Sequence, residues 1–220
     1  MTDHKICILW DMDGTIIDSF DLHYESWRQA LLEADVNLTR AKFKESFGRN
    51  NRISIAHYLG YEPDEVLFQK LTGNKETLFR KFAADTARPF PGVIDWLSYF
   101  KEKHIKQAIA SSAPPLNIEI ILEVFHLNGF FCAIVPGANL PSKPAPDIFL
   151  RAAKALNCEP KDCVVIEDSS AGLLAGKAAG MVTVGVATTQ AKDTIQADII
   201  LDDFQTQPDA FLDQISNFIQ

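Results

Sequence analysis

Two carboxylates two residues apart, Asp11 and Asp13, close the apolar run Ile6-Cys7-Ile8-Leu9-Trp10 and are followed at once by Gly14 and Thr15. A second acidic pair, Glu167-Asp168, closes another apolar run, Val164-Val165-Ile166. Between them in sequence, Ile109-Ala110 ends in the hydroxyls Ser111 and Ser112, and Lys143 opens a helical segment at Ser142-Lys143-Pro144-Ala145-Pro146-Asp147. An apolar run that stops at charge reads as a buried strand delivering polar groups to its carboxyl end. In an open α/β sheet the loops at that end form the ligand crevice, so all four sets should converge there. Two acidic pairs in one crevice repel each other unless a cation intervenes. Mg²⁺ suits such a site, because it takes few carboxylates and leaves places for water and a substrate phosphate. Phosphoryl transfer follows, since it asks for positioning and for neutralisation of charge on the equatorial oxygens. A carboxylate nucleophile, a hydroxyl, a lysine and a metal meet those demands.

The elements that must position these groups can be read from periodicity. After Thr15 the apolar residues Leu22, Trp27, Ala30 and Leu31 recur at helical spacing, with Asp18-Ser19 as candidate N-cap oxygens, which predicts a helix over about 19–34. Helical patterning continues to about Phe82, and the Pro-rich stretch Ala87-Arg88-Pro89-Phe90-Pro91-Gly92 marks a linker into a new helix. Beyond it the chain alternates: helix near 92–103, strand 106–111, helix near 115–125, strand 132–136, helix near 145–156, strand 163–167, helix near 170–179, strand 182–186, a short strand at 198–201 and a last helix near 208–219. This predicts an α/β fold, a Rossmann-like parallel sheet with helices on both faces, plus a small all-helical cap domain inserted after the first strand. The domains divide as 1–16 and 88–220 for the catalytic core and 17–87 for the insertion.

Composition bounds the class. The chain has 220 residues, 47% hydrophobic and 23% charged, as in an ordinary globular protein. Residues 17–87 hold 10 cations against 11 acids, leaving 11 against 18 for the rest, so most of the formal charge of −8 sits on the α/β part. That acidity argues against nucleic acid as a partner. There is no apolar stretch of membrane-spanning length and no signal-peptide pattern at the N-terminus, and the four cysteines form no C-x-x-C pair. A cytoplasmic location with buried free thiols is the expectation, as a monomer or small homo-oligomer.

Asp11-Met12-Asp13-Gly14-Thr15, Ser111, Lys143 and Glu167-Asp168, in this order and each at a strand end, resemble the four motifs of the haloacid dehalogenase superfamily. The helical insertion is similar to that superfamily's small cap domain, and the resemblance covers essentially the whole chain. It implies a Mg²⁺-dependent phosphatase that hydrolyses a small phosphorylated metabolite, such as a sugar phosphate. Asp11 would be the nucleophile that becomes an aspartyl phosphate, and Asp13 would protonate the leaving oxygen and then deprotonate water. Asp11, the Asp13 backbone carbonyl and Asp168 would hold the metal, with Glu167 bound directly or through water. Ser111 and Lys143 would bind phosphoryl oxygens, Gly14 would permit the tight turn, and Thr15 would reach the phosphate. Ser112 could replace Ser111, since the register is open by one. The presence of Asp13 favours phosphate esters over haloacids, because the dehalogenating branch lacks it. Where related sequences place Gly before the motif lysine, this one has Ser142.

Other features have plainer readings beside the sharp ones. Glu167-Asp168 could cap the helix opening at Ser169-Ser170. Gly172-Leu173-Leu174-Ala175-Gly176-Lys177-Ala178 looks like a nucleotide P-loop but has a short first gap and Ala178 where Ser or Thr is needed; Gly172, Gly176 and Gly180 more simply let a helix lie close on the sheet. His23 has the spacing of a cap histidine in the β-phosphoglucomutase branch, or is an exposed helical residue. Arg49, in Gly48-Arg49-Asn50-Asn51-Arg52, reads as part of a substrate loop or as a solvated basic turn, and Lys75 is open in the same way. Two rivals remain for the function. A β-phosphoglucomutase-type mutase would use the same residues, although Ala113-Pro114-Pro115 lacks the lysine those mutases carry. A non-catalytic phosphometabolite-binding protein would have no need of both aspartates.

Overall fold

In the computed structural model, which describes residues 6–47, 50–215 and 218–219, a six-stranded parallel sheet runs in the order β3-β2-β1-β4-β5-β6. The strands are β1 (Cys7–Trp10), β2 (Lys106–Ser111), β3 (Ala133–Pro136), β4 (Cys163–Glu167), β5 (Val182–Val186) and β6 (Ile199–Leu201). The chain builds outward from β1 to β3, then returns to the other side of β1 with β4. Strand order therefore reverses between β1 and β4, where the crevice of an open α/β sheet lies. In register, Trp10 stands beside Ile166, so the two strands deliver Asp11 and Glu167 side by side.

Side chains alternate across the sheet, as the pleat requires. Ile8, Trp10, Ile109, Val164, Ile166 and Val184 join Trp96, Phe100 and Phe211 in a core on one face. Those aromatics come from α5 (Val93–Glu102) and α9 (Pro208–Ile215). Cys7, Leu9, Ala108, Val135 and Val165 point the other way, against Ile148, Phe149 and Ala152 of α7 (Asp147–Leu156) and Ala175 of α8 (Ser170–Ala178). Each side chain fully withdrawn from water in these layers contributes about 1.5–3 kcal/mol. The buried Trp10 indole is also anchored, donating Nε1–H to Gln107 Oε1 at 2.9 Å.

The segment between β1 and α5 is helical: α1 (Phe20–Leu32), α2 (Arg40–Lys44), α3 (Asn51–Leu59) and α4 (Glu65–Thr86). It has its own apolar cluster of Trp27, Leu31, Leu38, Phe43, Ile55, Tyr58 and Leu71. Local signals set these helices: Asn50 Oδ1 accepts from Ile53 N at 3.0 Å, and Asp64 Oδ1 accepts from Leu67 N at 2.8 Å. Ser19 differs from expectation. It precedes α1 but makes no side-chain cap bond, because it is buried with its hydroxyl beside Asp13. The outgoing and returning chains lie together, with Phe90 N donating to Ile16 O and Asp18 N donating to Arg88 O, both at 3.0 Å. The remaining helix, α6 (Pro115–Val124), follows β2.

The predicted α/β elements fall within two residues of the observed ones, apart from the last helix, whose expected span runs past Ile215 into residues that are not all described. Two readings change. Gly180 has no atom within 4 Å of a built Cβ, so it is there for its left-handed backbone, φ +73°, and not for close packing. Of the thiols, Cys7 and Cys163 are buried, Cys158 is intermediate and Cys132 is exposed, so Cys132 departs from the expected burial. Among the described residues no helix is long and apolar enough to cross a membrane.

Candidate active site

β1 ends in a turn that presents both of its acids. Asp11 continues the ladder by donating its N–H to Ile166 O at 3.0 Å, and Ile16 and Ile17 fold back to donate to Met12 O. Gly14 sits at φ +89°, and a Cβ there would lie 2.4 Å from Asp168 Oδ2. Glycine is needed at this position for both reasons. β4 ends alongside with Glu167 and Asp168, and the loop before α7 supplies Lys143.

The ammonium of Lys143 lies 2.5 Å from Asp11 Oδ1, 2.9 Å from Glu167 Oε1 and 3.3 Å from the Ala110 carbonyl. Asp11, Glu167 and Asp168 are all buried, and each offers a carboxylate oxygen within 4.8 Å of the others'. Three acids against one ammonium leave an excess of negative charge in a place that water does not screen. Burial lifts the Asp11 carboxyl well above its usual range, with Lys143 opposing and Glu167 and Asp168 adding to the rise. Burial and then Glu167 push Asp168 up to about 7. Burial works against the Lys143 charge, yet Asp11 and Glu167 together raise its pKa. Such crowding of like charges is what an oxygen-ligated divalent cation relieves, and the donor set is of the hard kind that Mg²⁺ takes.

Asp13 faces the other way, toward the helical segment. Its Oδ1 lies 3.1 Å from His23 Nε2 on α1, and the imidazole stacks on Phe79 of α4 with ring centroids 4.4 Å apart. Burial would raise the Asp13 carboxyl, but His23, with Ser19 and Lys75 adding to it, holds the group below its usual value. His23 is therefore not an exposed helical residue; it touches the site. Lys75 is not solvated either. It is 2% exposed, its Nζ lies 2.9 Å from Glu76 Oε1, and it faces the rings of Trp27 and Phe79.

The structure thus brings Asp11, Asp13, Thr15, His23, Lys143, Glu167 and Asp168 together. Thr15 is fully buried and its hydroxyl donates to Asp168 Oδ1 at 2.9 Å. Ser111 is buried, with its Oγ accepting from Ala113 N at 3.1 Å, whereas Ser112 is exposed. Of the two serines, Ser111 is the one enclosed at the strand end. Arg49 lies outside the described residues. Glu167 also accepts from Ser169 N, while the cap of α8 is Ser169 itself, whose Oγ accepts from Gly172 N at 3.1 Å. Capping and the acidic cluster coexist. The sequence reading missed Thr188, Thr189 and Gln190, which follow β5: Thr188 Oγ1 donates to Gly14 O at 2.5 Å, Thr189 Oγ1 donates to Asp168 Oδ2, and Gln190 Nε2 donates to Asp168 O. The signal was present, since Val182–Val186 is one more apolar run that ends in polar side chains.

Known proteins are similar to this chain in sequence and in fold. The family described as haloacid dehalogenase-like hydrolase matches residues 8–186. The chain is 34% identical over 195 residues to the chloroplastic protein SUPPRESSOR OF QUENCHING 1 of Arabidopsis thaliana, covering 83% of this chain but spanning only 18% of that protein's length. It is 28% identical over 204 residues to β-phosphoglucomutase of Bacillus subtilis, covering 88% of each, and 28% identical over 191 residues to hexitol phosphatase B of Escherichia coli, covering 86% of each. A solved haloacid dehalogenase hydrolase of family IA, variant 3, from Entamoeba histolytica superposes with a TM-score of 0.87 at 27% identity, over 96% of this chain and 100% of that one. With a family match that runs from Ile8 in β1 to Val186 at the end of β5, the chain belongs to the haloacid dehalogenase-like hydrolases.

Proposed function

We propose that the protein is a Mg²⁺-dependent phosphatase that hydrolyses a small phosphorylated metabolite, with a phosphorylated sugar or sugar alcohol as the favoured class. The observation that carries this reading is the convergence of Asp11, Lys143, Glu167 and Asp168 at the carboxyl ends of β1 and β4, with Asp13 facing His23 of the helical segment. Hexitol phosphatase B among the relatives supports the class of substrate.

Asp11 is the nucleophile. One carboxylate oxygen attacks phosphorus, the ester P–O bond breaks, and the leaving oxygen takes a proton from Asp13. Asp13 then removes a proton from water, whose oxygen attacks the aspartyl phosphate, so that phosphate leaves and Asp11 is restored. His23, whose Nε2 lies 3.1 Å from Asp13 Oδ1, orients that carboxylate. Lys143 offsets the charge of Asp11 and, with Ser111, binds phosphoryl oxygens. Asp11, the Asp13 carbonyl, Asp168 and Glu167 would hold Mg²⁺, which would supply positive charge to offset that of the transferring group. The helical segment 17–87 is a cap over the α/β core of 1–16 and 88–220, its outgoing and returning chains joined by the bonds of Phe90 N to Ile16 O and of Asp18 N to Arg88 O. A cytoplasmic location fits this chemistry.

The test is a panel of phosphorylated metabolites assayed for phosphate release with Mg²⁺, beside Asp11→Asn. Release that needs Mg²⁺ and falls on the order of 10⁴-fold or more in Asp11→Asn is expected for loss of a nucleophile. Release that survives unchanged in the variant overturns the mechanism. Incubation with β-glucose 1-phosphate and a bisphosphate primer separates the mutase, which would yield glucose 6-phosphate. Ligand-dependent stabilisation without turnover of any ester would instead mark a binding protein.

A further inference from the structure

Thr188, Thr189 and Gln190 are consecutive, yet each reaches a different part of the acidic centre. Thr188 Oγ1 donates to the Gly14 carbonyl at 2.5 Å, Thr189 Oγ1 donates to Asp168 Oδ2, and Gln190 Nε2 donates to the Asp168 main-chain carbonyl. Gln190 is itself held from the far side, its Oε1 accepting from Ser170 Oγ at 3.0 Å. Thr15 Oγ1 takes the remaining oxygen of Asp168, Oδ1, at 2.9 Å. The Asp168 carboxylate thus has one hydroxyl donor on each oxygen, from opposite sides. Two carboxylate oxygens offer about four acceptor positions, so this arrangement sets the orientation of the group and still leaves lone pairs for a cation.

Packing closes around the same point. A Cβ on Gly14 would stand 2.4 Å from Asp168 Oδ2 and 2.9 Å from Thr189 Cγ2, so the turn of β1, the Asp168 carboxylate and the Thr189 methyl already touch one another. Threonine does here what serine does less firmly, because two heavy substituents on Cβ restrict χ1 and hold the hydroxyl in one direction. The loop after β5 therefore ties the ends of β1 and β4 together at the point where their acids meet.

We propose that Thr188, Thr189 and Gln190 form a positioning clamp for divalent-cation binding, with Thr189 setting the angle of the Asp168 carboxylate and its two neighbours holding the Gly14 turn and the Asp168 main chain. This inference rests on the Mg²⁺-dependent reading above, and it assigns roles to three residues outside the four motifs. Partners that orient a ligating carboxylate change metal affinity by about 10–100-fold when removed.

Mn²⁺ is the probe, read as free Mn²⁺ by electron paramagnetic resonance in a titration of the purified protein with no substrate present. The variants are Thr189→Val, which keeps the methyl groups and removes the hydroxyl, and Thr189→Ser, which keeps the hydroxyl. Weakening of Mn²⁺ binding by about 10–100-fold in Thr189→Val, with a far-UV circular dichroism spectrum like that of the parent and recovery in Thr189→Ser, is the expected result. Equal affinity of parent and Thr189→Val overturns the clamp while leaving the metal-dependent reading intact. A parent protein that binds no Mn²⁺ overturns that reading and the clamp with it. Should Thr189→Val not fold, Gln190→Ala is titrated in the same way, and parent-like affinity in that variant counts against the clamp.

Discussion

Lys143 Nζ lies 2.5 Å from Asp11 Oδ1, with both side chains under a tenth exposed, and the same ammonium lies 2.9 Å from Glu167 Oε1. One buried cation thus serves the proposed nucleophile and a proposed metal-site acid together. Removing one partner of a buried pair leaves an uncompensated charge, which costs about 3–5 kcal/mol. Lys143→Met should lose that much stability in urea melts with chelator present, and Glu167→Gln added to it should restore part, since one of the two stranded carboxylates is then neutral. A double variant no more stable than Lys143→Met would show that the two acids do not share the lysine.

Glu76 on α4 makes a further buried ionic contact. Its carboxylate accepts from Lys75 at 2.9 Å, from Asn51 of α3 at 2.9 Å and from Asn117 of α6 at 2.6 Å, so it joins the helical segment to the sheet domain's α6. Burial opposes its charge, but Lys75 and the two amides win and hold its pKa below the usual 4.5. A group depressed in the folded state lends stability above its unfolded pKa and loses it as pH falls through the folded value. The urea midpoint of the parent should therefore drop below pH 4.5 more steeply than that of Glu76→Gln, whose own midpoint at pH 7 should be lower because Lys75 is left buried without its counter-charge. Parallel acid limbs for the two proteins would contradict this.

The motif acids and the order of elements were legible because each rests on a local pattern, an apolar run of strand length and then charge, and the lysine because it opens a helical segment after such a run. Trp10-Asp11 and Ile166-Glu167 carry that pattern in the sequence, and register puts them side by side. What was not legible depends on contacts between distant segments. Thr15 and Thr189 are 174 residues apart and meet only at Asp168, so nothing near Thr15 reveals that its hydroxyl is already engaged. His23 was ambiguous for the same reason, since its ring is placed by Phe79 from another helix. Glu76 has no signal of its own in the sequence, because its partners Asn51 and Asn117 come from two other elements.

The thiols divide by environment. Burial, followed by the neighbouring Cys158, pushes the Cys7 thiol above its usual range, and burial does the same for Cys163. Thiolate is the reactive form, so both should stay inert in the native protein. A dithiobis-nitrobenzoate titration at pH 8 should modify exposed Cys132 at once and half-buried Cys158 slowly, with Cys7 and Cys163 appearing only on unfolding. Four fast thiols in native buffer would count against the packing of β1 on β4.

Gly172 and Gly176 face the sheet from α8, but the space each fills is different. A Cβ on Gly176 would meet Thr183 Cγ2 at 2.9 Å and Val165 at 3.3 Å, which is apolar packing. A Cβ on Gly172 would fall 1.7 Å from Glu167 Oε1 and 2.0 Å from its Cδ. Glu167 is free to move only by giving up Lys143 Nζ and Ser169 N, the two donors that fix it. Gly172→Ala should therefore act on the site through Glu167, lowering phosphate release by about 10-fold or more, as expected for a displaced metal-site acid. Gly176→Ala, whose clash is with side chains remote from the acids, should lower the melting temperature with a smaller effect on turnover per folded molecule. Equal loss of turnover in the two variants, after correction for the folded fraction, would show that Glu167 is not held in place by Gly172.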